Sequence, residues 1–262
     1  MMQFHLRSVL FIAIIFLIAG CASQPSGTIS RIPATSDAQA SQSGLFMQTD
    51  EWEHTKPGCK GECPRLHAKT LIFAGNNKLT ELVDHGLAMM TGIGQERVPP
   101  YQTIAEFEKY FWNIAAPRDE VDLIAQARYR SRDLTVIELT TYQYFTGSAH
   151  GITATQFLNW DNNAQRVLGL ADILRPGQDK NYDQALEAAH RQWMQGRNEI
   201  DDPDRWLRMW PFQPSDNFAF TDQGLVVKYD SYEIAPYSSG QPEILIPYAD
   251  LKGIVRADYL PA

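Results

Sequence analysis

Leu134-Thr-Val-Ile-Glu-Leu-Thr-Thr-Tyr-Gln-Tyr-Phe145, then Thr146-Gly-Ser-Ala-His-Gly151, then Ile152-Thr-Ala-Thr-Gln-Phe-Leu-Asn-Trp160 is the stretch whose reading decides the fold. Two runs dense in β-branched and aromatic residues flank a short link with glycines in it, which is the pattern of two long antiparallel strands joined by a tight connection. Bulky side chains occupy both alternating sets, Ile137, Leu139 and Phe145 against Val136, Tyr142 and Tyr144. A strand apolar on both faces has no side designed for water, so this hairpin belongs in the middle of its sheet.

Working outward, Val121, Leu123, Ala125, Ala127 and Tyr129 alternate with polar residues and predict a strand before the turn at Ser131-Arg132-Asp133. A short fourth strand is expected near Gln165 to Leu168. Arg65 to Phe73 reads as a further strand. Helix signals follow, with Asn76 or Asn77 as cap, Leu79, Leu82, Val83, Leu87 and Met90 at helical spacing, and Gly92 past the end. Thr103-Ile-Ala-Glu106 is a capping box opening a helix over about 103 to 116. Tyr182, Ala185, Leu186, Ala189 and Trp193 mark a third helix ending near Gly196. Strands at Asn217 to Thr221, Leu225 to Tyr229 and Ile244 to Ile246 and a helical turn at Pro247 to Lys252 complete the chain. The fold class expected is α+β: an antiparallel sheet built on the long central hairpin, with three main helices packed on it and sharing one face.

The N-terminus has a different character. Met1 to Arg7 is basic, Ser8 to Ile18 is an apolar run too short to span a bilayer, and Ile18-Ala19-Gly20-Cys21 follows. This last stretch resembles the bacterial lipobox, which implies cleavage after residue 20 and a diacylglycerol on the Cys21 thiol. Ala22 stands where a retention signal would be Asp, and the resemblance therefore implies an outer-membrane anchor with the domain facing the periplasm. Acyl chains hold at about 0.8 kcal/mol per buried methylene. Residues 22 to about 50 are Ser, Gln, Ala, Thr, Pro and Gly with few large apolar side chains, the composition of a tether. The organisation expected is a signal peptide over 1–20, anchor and tether over 21–50, an N-terminal α+β unit over 51–135 and a C-terminal α+β unit over 136–262.

Export agrees with the cysteines. Apart from Cys21 only Cys59 and Cys63 remain, in Lys56-Pro-Gly-Cys-Lys-Gly-Glu-Cys-Pro64, and in an oxidising compartment they read as one disulfide closing a small loop. The sharper alternative is zinc, since His54 and His67 flank the pair at usable spacings; the compartment, glycines and prolines favour the disulfide, and no metal or other cofactor is expected. Net charge is −8 from 23 basic and 31 acidic residues. That balance disfavours nucleic acid as a partner and is compatible with a cationic one.

The Tyr-rich strand entering Gly147-Ser-Ala-His-Gly151, the Asn159 to Gly169 strand and turn, the helix with Trp193, the Phe218 to Tyr229 hairpin, and above all Tyr232-Glu-Ile-Ala-Pro-Tyr-Ser-Ser-Gly240 with Ile246-Pro-Tyr248 resemble the RsiV-like domain over roughly residues 140 to 255. That domain is found in envelope proteins, in anti-sigma factors of the RsiV type and beside peptidoglycan deacetylase domains. The resemblance implies an extracytoplasmic α+β binding domain, with a lysozyme-like protein as one partner of the family. The export signal leaves no cytoplasmic segment to hold a sigma factor, and there is no room for a deacetylase domain.

His150 is the most tempting catalytic residue, two positions from Ser148, with Asp172 and Glu233 as chain-distant partners that sequence cannot place. Neighbours so close on a hairpin end rarely meet as nucleophile and base, and Gly147-Ser148 is not a Gly-x-Ser-x-Gly elbow. The reading preferred is binding without catalysis, with Ser148, His150, Tyr142 and Tyr237 as ligand contacts and a lysozyme-like protein or peptidoglycan as partner; the alternatives are an envelope hydrolase and a structural role in envelope assembly. Asp201, Asp202 and Asp204 lack the pattern of an EF-hand and read as a solvated, capped turn. Trp206, Met209, Trp210 and Phe212 read as core cover before sugar-stacking residues.

Overall fold

The computed structural model describes residues 46–92 and 98–261; Cys21 and most of the expected tether lie outside these residues. Among the described residues nine strands form two sheets. The larger has six strands in the order β1-β2-β3-β4-β5-β6: β1 (Phe46–Thr55), β2 (Arg65–Ala74), β3 (Glu120–Arg130), β4 (Leu134–Tyr144), β5 (Ile152–Asp161) and β6 (Arg166–Val167). The smaller is β7 (Phe218–Phe220), β8 (Gly224–Lys228) and β9 (Glu243–Pro247), all antiparallel.

The hairpin β4–β5 pairs without a slip from Leu134↔Asp161 to Gln143↔Ile152. As its two-sided apolar pattern requires, β4 is central and buried on both faces: Ile137 and Leu139 pack on one core, Val136 on another. One junction is not antiparallel. β2 and β3 run parallel, which demands a crossover, and helices α1 (Asn77–Met90) and α2 (Ile104–Ile114) supply it. Asn76 caps α1 by accepting from Leu79 N–H at 3.1 Å, and Thr103 caps α2 by accepting from Glu106 N–H at 3.2 Å. Glu106 reaches back one residue further than a capping box requires, to Gln102 N–H at 2.7 Å.

The three long helices do not share one face. α1 and α2 cover one side of the large sheet, burying Leu79, Val83, Leu87, Phe107 and Phe111 against Leu66, Leu123, Ile137 and Trp160. The third, α4 (Asp179–Gln195), packs with the small sheet on the opposite side, where Tyr182 and Leu186 meet Phe218, Phe220, Leu225 and Ile246. Both cores draw on β4, because alternate side chains of one strand serve both. The large sheet is continuous across residue 135, and it is the sheet itself that separates the two cores.

Phe46–Asp50, expected in the tether, form the first half of β1. Pro203–Met209 is a short helix, α5, after a single-turn α3 (Leu170–Ile173), and of the helical turn expected at Pro247 to Lys252, Pro247 ends β9 and residues 248–251 form turns. In the small sheet Gly224 is obligatory: a Cβ there would lie 2.0 Å from the Ile246 carbonyl oxygen.

β5 is nearly an edge strand, since β6 pairs only with Trp160 and Asp161. Its outward amides are satisfied by side chains instead. Thr155 N–H donates to Asp230 Oδ1 at 2.9 Å and Phe157 N–H to Asn217 Oδ1 at 2.8 Å, while Asn217 Nδ2 donates to the Thr155 carbonyl at 2.8 Å. One asparagine thus stands in for a stretch of neighbouring strand and fastens the small sheet to the large one.

Candidate functional site

At the tip of the central hairpin the link 145–151 meets the loop that follows β8. Asp230 opens that loop and anchors it, accepting from Thr155 N–H and from Gln241 Nε2 at 2.7 Å. Burial pushes the Asp230 carboxyl above its usual range, partly offset by the Thr155 N–H bond. Glu233 accepts from Asp230 N–H at 2.6 Å and is likewise raised, chiefly by burial. Between them Tyr232 sits at φ 75°, in the left-handed region, where a bulky L-residue costs roughly 1–2 kcal/mol. The surrounding loop maintains that strained backbone and with it the position of the Tyr232 ring.

The rings converge on His150. Its imidazole stacks on Tyr237 with centroids 4.1 Å apart, and Tyr232 lies 5.8 Å from Tyr237 and 6.3 Å from Trp210. Both imidazole nitrogens are engaged. Nδ1 lies 2.9 Å from the Gly151 carbonyl, which only accepts, so Nδ1 carries the proton and Nε2 accepts from the Tyr232 hydroxyl at 3.2 Å. Tyr142 closes the floor: its ring lies so tightly over Gly151 that a Cβ there would come within 2.2 Å of it. Burial raises the Tyr142 phenol, and Tyr237 adds to the effect.

Beside these rings opens a cleft of about 260 Å³, lined on one side by Met90, Phe145 and Ile152 and on the other by Asp230, Tyr232 and Tyr237, with Thr153 between them. Phe145, Ile152 and Tyr232 are 43, 62 and 52% exposed, so apolar surface is concentrated at this edge. Of the residues expected as contacts, His150 and Tyr237 stack, and Tyr142 reaches them through Gly151. Ser148 does not join them; it stays in the exposed turn with its N–H bonded to the Phe145 carbonyl at 2.9 Å. Asp172 is far from His150 in its bonding, held by Gly169 N–H and Arg166, and Glu233 is occupied by Asp230. Tyr232, quoted in the sequence motif but not singled out, is the residue missed; nothing in its local sequence shows that tertiary contacts hold it at positive φ.

A larger cleft of about 550 Å³ opens at the other end of the sheet, among Asp133, Asp161, Asp222, Asp258 and Tyr248. Most of its carboxylates build turns. Asp133 accepts from Asn163 and Arg132, which hold it below its usual range, Asp161 accepts from Asn163 and Ala164 N–H, and Asp258 pairs with Arg256. The smaller cleft is therefore the better candidate.

Cys59 and Cys63 are joined, with Sγ–Sγ 2.05 Å. The histidines weighed as zinc ligands turn elsewhere, His54 to Glu108 at 2.9 Å and His67 to Glu51 at 3.3 Å. Among the described residues no group of three or more His, Cys, Asp and Glu is placed to hold a metal ion. Asp202, weighed for calcium, instead caps α5 through Arg205 N–H at 3.0 Å. Trp206 is buried with Met194 and Ala235, whereas Met209 is 54% exposed.

Residues 171–249 match a family model described as a protein of unknown function, DUF3298. The crystal structure of a DUF3298 family protein from Pseudomonas aeruginosa PAO1 shares 36% identity with this chain, covers 83% of it and 97% of its own length, and superposes with a TM-score of 0.77. The chain belongs to the DUF3298 family. A second DUF3298 structure, from Bacteroides fragilis NCTC 9343, shares the fold at 21% identity and a TM-score of 0.63, covering 81% of this chain and 94% of its own. The DUF3298 chain is also 25% identical over 146 residues to the peptidoglycan-N-acetylmuramic acid deacetylase PdaC of Bacillus subtilis strain 168. That alignment takes in 55% of this chain and spans only 31% of PdaC. The region matched by the family model lies within the span on which the RsiV-like resemblance rests.

Proposed function

We propose that this DUF3298 protein is a non-catalytic cell-envelope lipoprotein, held at the outer membrane through Cys21 and facing the periplasm, whose domain recognises an envelope component at the His150 cleft. The observation that carries recognition over catalysis is the fixing of both His150 nitrogens by the scaffold, by Gly151 and Tyr232. A general base needs its accepting nitrogen within hydrogen-bond reach of the nucleophile; at His150 Nε2 that place is taken by the Tyr232 phenol, and Ser148 makes no hydrogen bond to His150 among the described residues. What His150 presents is a ring in a row of rings, suited to contact. The relation to PdaC supports peptidoglycan as the envelope component, and the RsiV-like resemblance together with the net charge of −8 supports a cationic, lysozyme-like protein.

The test uses the full-length protein in detergent, offered separately to purified sacculi and to immobilised lysozyme at low salt. One of the two is retained, and His150→Ala together with Tyr237→Ala lowers retention about tenfold or more without moving the melting temperature by more than a few degrees. Retention of neither, or cleavage of sacculi that His150→Ala abolishes, rejects the reading. Labelled palmitate incorporated into wild type but not Cys21→Ala checks the anchor.

A further inference from the structure

The edge of β5 is closed by side chains at Thr155 and Phe157, and it is left open one step earlier. In an antiparallel pair, alternate residues turn their N–H and C=O outward. Thr155 and Phe157 are two such residues, because their amides meet Asp230 and Asn217. Pairing with β4 is regular over the whole hairpin, so Thr153 is the next. Its N–H and C=O point off the sheet edge and have no partner among the described residues, and Thr153 lines the 260 Å³ cleft. The chain thus shows further along what this edge accepts: an acceptor oxygen on the N–H, from the Asp230 carboxylate at Thr155 and the Asn217 amide at Phe157, and an amide donor on the Thr155 C=O.

The walls fit such an occupant. Ile152 and Ala154, with Met90 and Phe145, belong to the helix-covered face of the sheet, and Tyr232 and Tyr237 rise on the other face. A cleft straddling a strand edge, with apolar groups above and below, suits a chain that sends successive side chains to opposite sides, as an all-L β-strand does. A glycan backbone has no main-chain amides to pair with a strand edge, and one face of Tyr237 is already covered by His150. Among the described residues Asp230 is the one carboxylate in the lining, which holds no Lys or Arg there.

Resting on the reading that this cleft is the binding site, we propose that it takes an extended segment of a partner polypeptide by strand addition at Thr153, apolar on both sides and carrying a Lys or Arg toward Asp230. Thr153 N–H donates to a carbonyl of the segment and Thr153 C=O accepts from a main-chain N–H on that same edge of the segment. The remainder of the edge, plugged by Asn217 and Asp230, sets where the added strand must stop.

The experiment screens the full-length protein in detergent against a displayed library of short all-L peptides, then remakes the enriched peptides with single N-methylated amides. Expected is enrichment of alternating apolar sequences with a basic residue, loss of about tenfold in affinity at one N-methylated position, and a similar loss in Thr153→Pro, a substitution an outward-facing edge N–H tolerates. Asp230→Asn, which keeps the acceptor for Thr155, weakens basic peptides and spares neutral ones. No enrichment, binding indifferent to every N-methyl group, or displacement of the peptides by chitotetraose that binds Thr153→Pro normally overturns the proposal. If Thr153→Pro fails to fold, the N-methyl series decides alone. Should His150→Ala abolish capture of sacculi or lysozyme while N-methylation does nothing, strand addition fails and the binding site stands.

Discussion

Arg128 on β3 and Arg65 on β2 project from the same face of adjacent strands, and each meets carboxylates from neighbouring strands, yet they live in different solvents. Arg128 lies under the small sheet with Glu138, Lys228 and Glu243, all with side chains only 5–12% exposed. Arg65, beyond the small sheet's reach, meets Glu53, Glu120 and Asp122 with exposures of 22–55% among the carboxylates. The small sheet covers only part of that face. The covered charges fix the two sheets against each other, and the uncovered ones remain at a wet surface.

The largest expected effect comes from breaking the sealed cluster. Glu138→Gln takes away a carboxylate that Arg128 and Lys228 share, and loss of one partner from a buried ion cluster costs about 3–5 kcal/mol, read as a fall in the midpoint of urea unfolding. On the open side the strongest fastening is covalent. Cys59→Ser with Cys63→Ser frees the loop between β1 and β2, and closure of so short a loop is worth about 2 kcal/mol, measured as the difference between oxidised wild type and the double variant.

His190 sharpens the contrast through pH. It is fully buried on α4 between Trp193 and Phe212, with neither nitrogen hydrogen-bonded among the described residues. Burial lowers its pKa, with Arg191 adding to the effect and Glu187 opposing it. The unfolded chain then binds a proton that the folded one refuses. Stability from this group is present above about pH 6.5 and is lost as pH falls through the lowered folded value. His190→Phe flattens that part of the profile in melting curves between pH 5 and 8; an unchanged slope refutes the assignment. The smallest effect is Arg65→Ala, within about 1 kcal/mol and fading as salt is raised, whereas the Glu138→Gln loss persists at high salt.

What was legible in the sequence follows the same division. The central hairpin could be read because both its faces are buried and its composition says so. The caps at Asn76 and Thr103 could be read because their hydrogen bonds are local. β1 could not: Phe46-Met-Gln-Thr-Asp-Glu-Trp-Glu-His-Thr55 is mostly exposed, so its strand state comes from pairing with β2 and leaves little apolar pattern. Parallel pairing of β2 with β3 and the placing of α4 beneath a second sheet are tertiary outcomes with no local signature. At the site, His150 and Tyr237 stood out by type and by loop context, while Tyr232 was hidden because long-range contacts hold its backbone.

The register of the large sheet also orients the molecule. Phe46 pairs with Ala74 at the end of β2; parallel pairing and the β3–β4 turn put Arg130, Leu134 and Asp161 at that same end. Gln143 and Ile152, beside the cleft, mark the opposite end. The chain thus enters the described domain at one pole and carries the His150 cleft at the other, so an attachment made through the residues before Phe46 leaves the cleft on the side away from it.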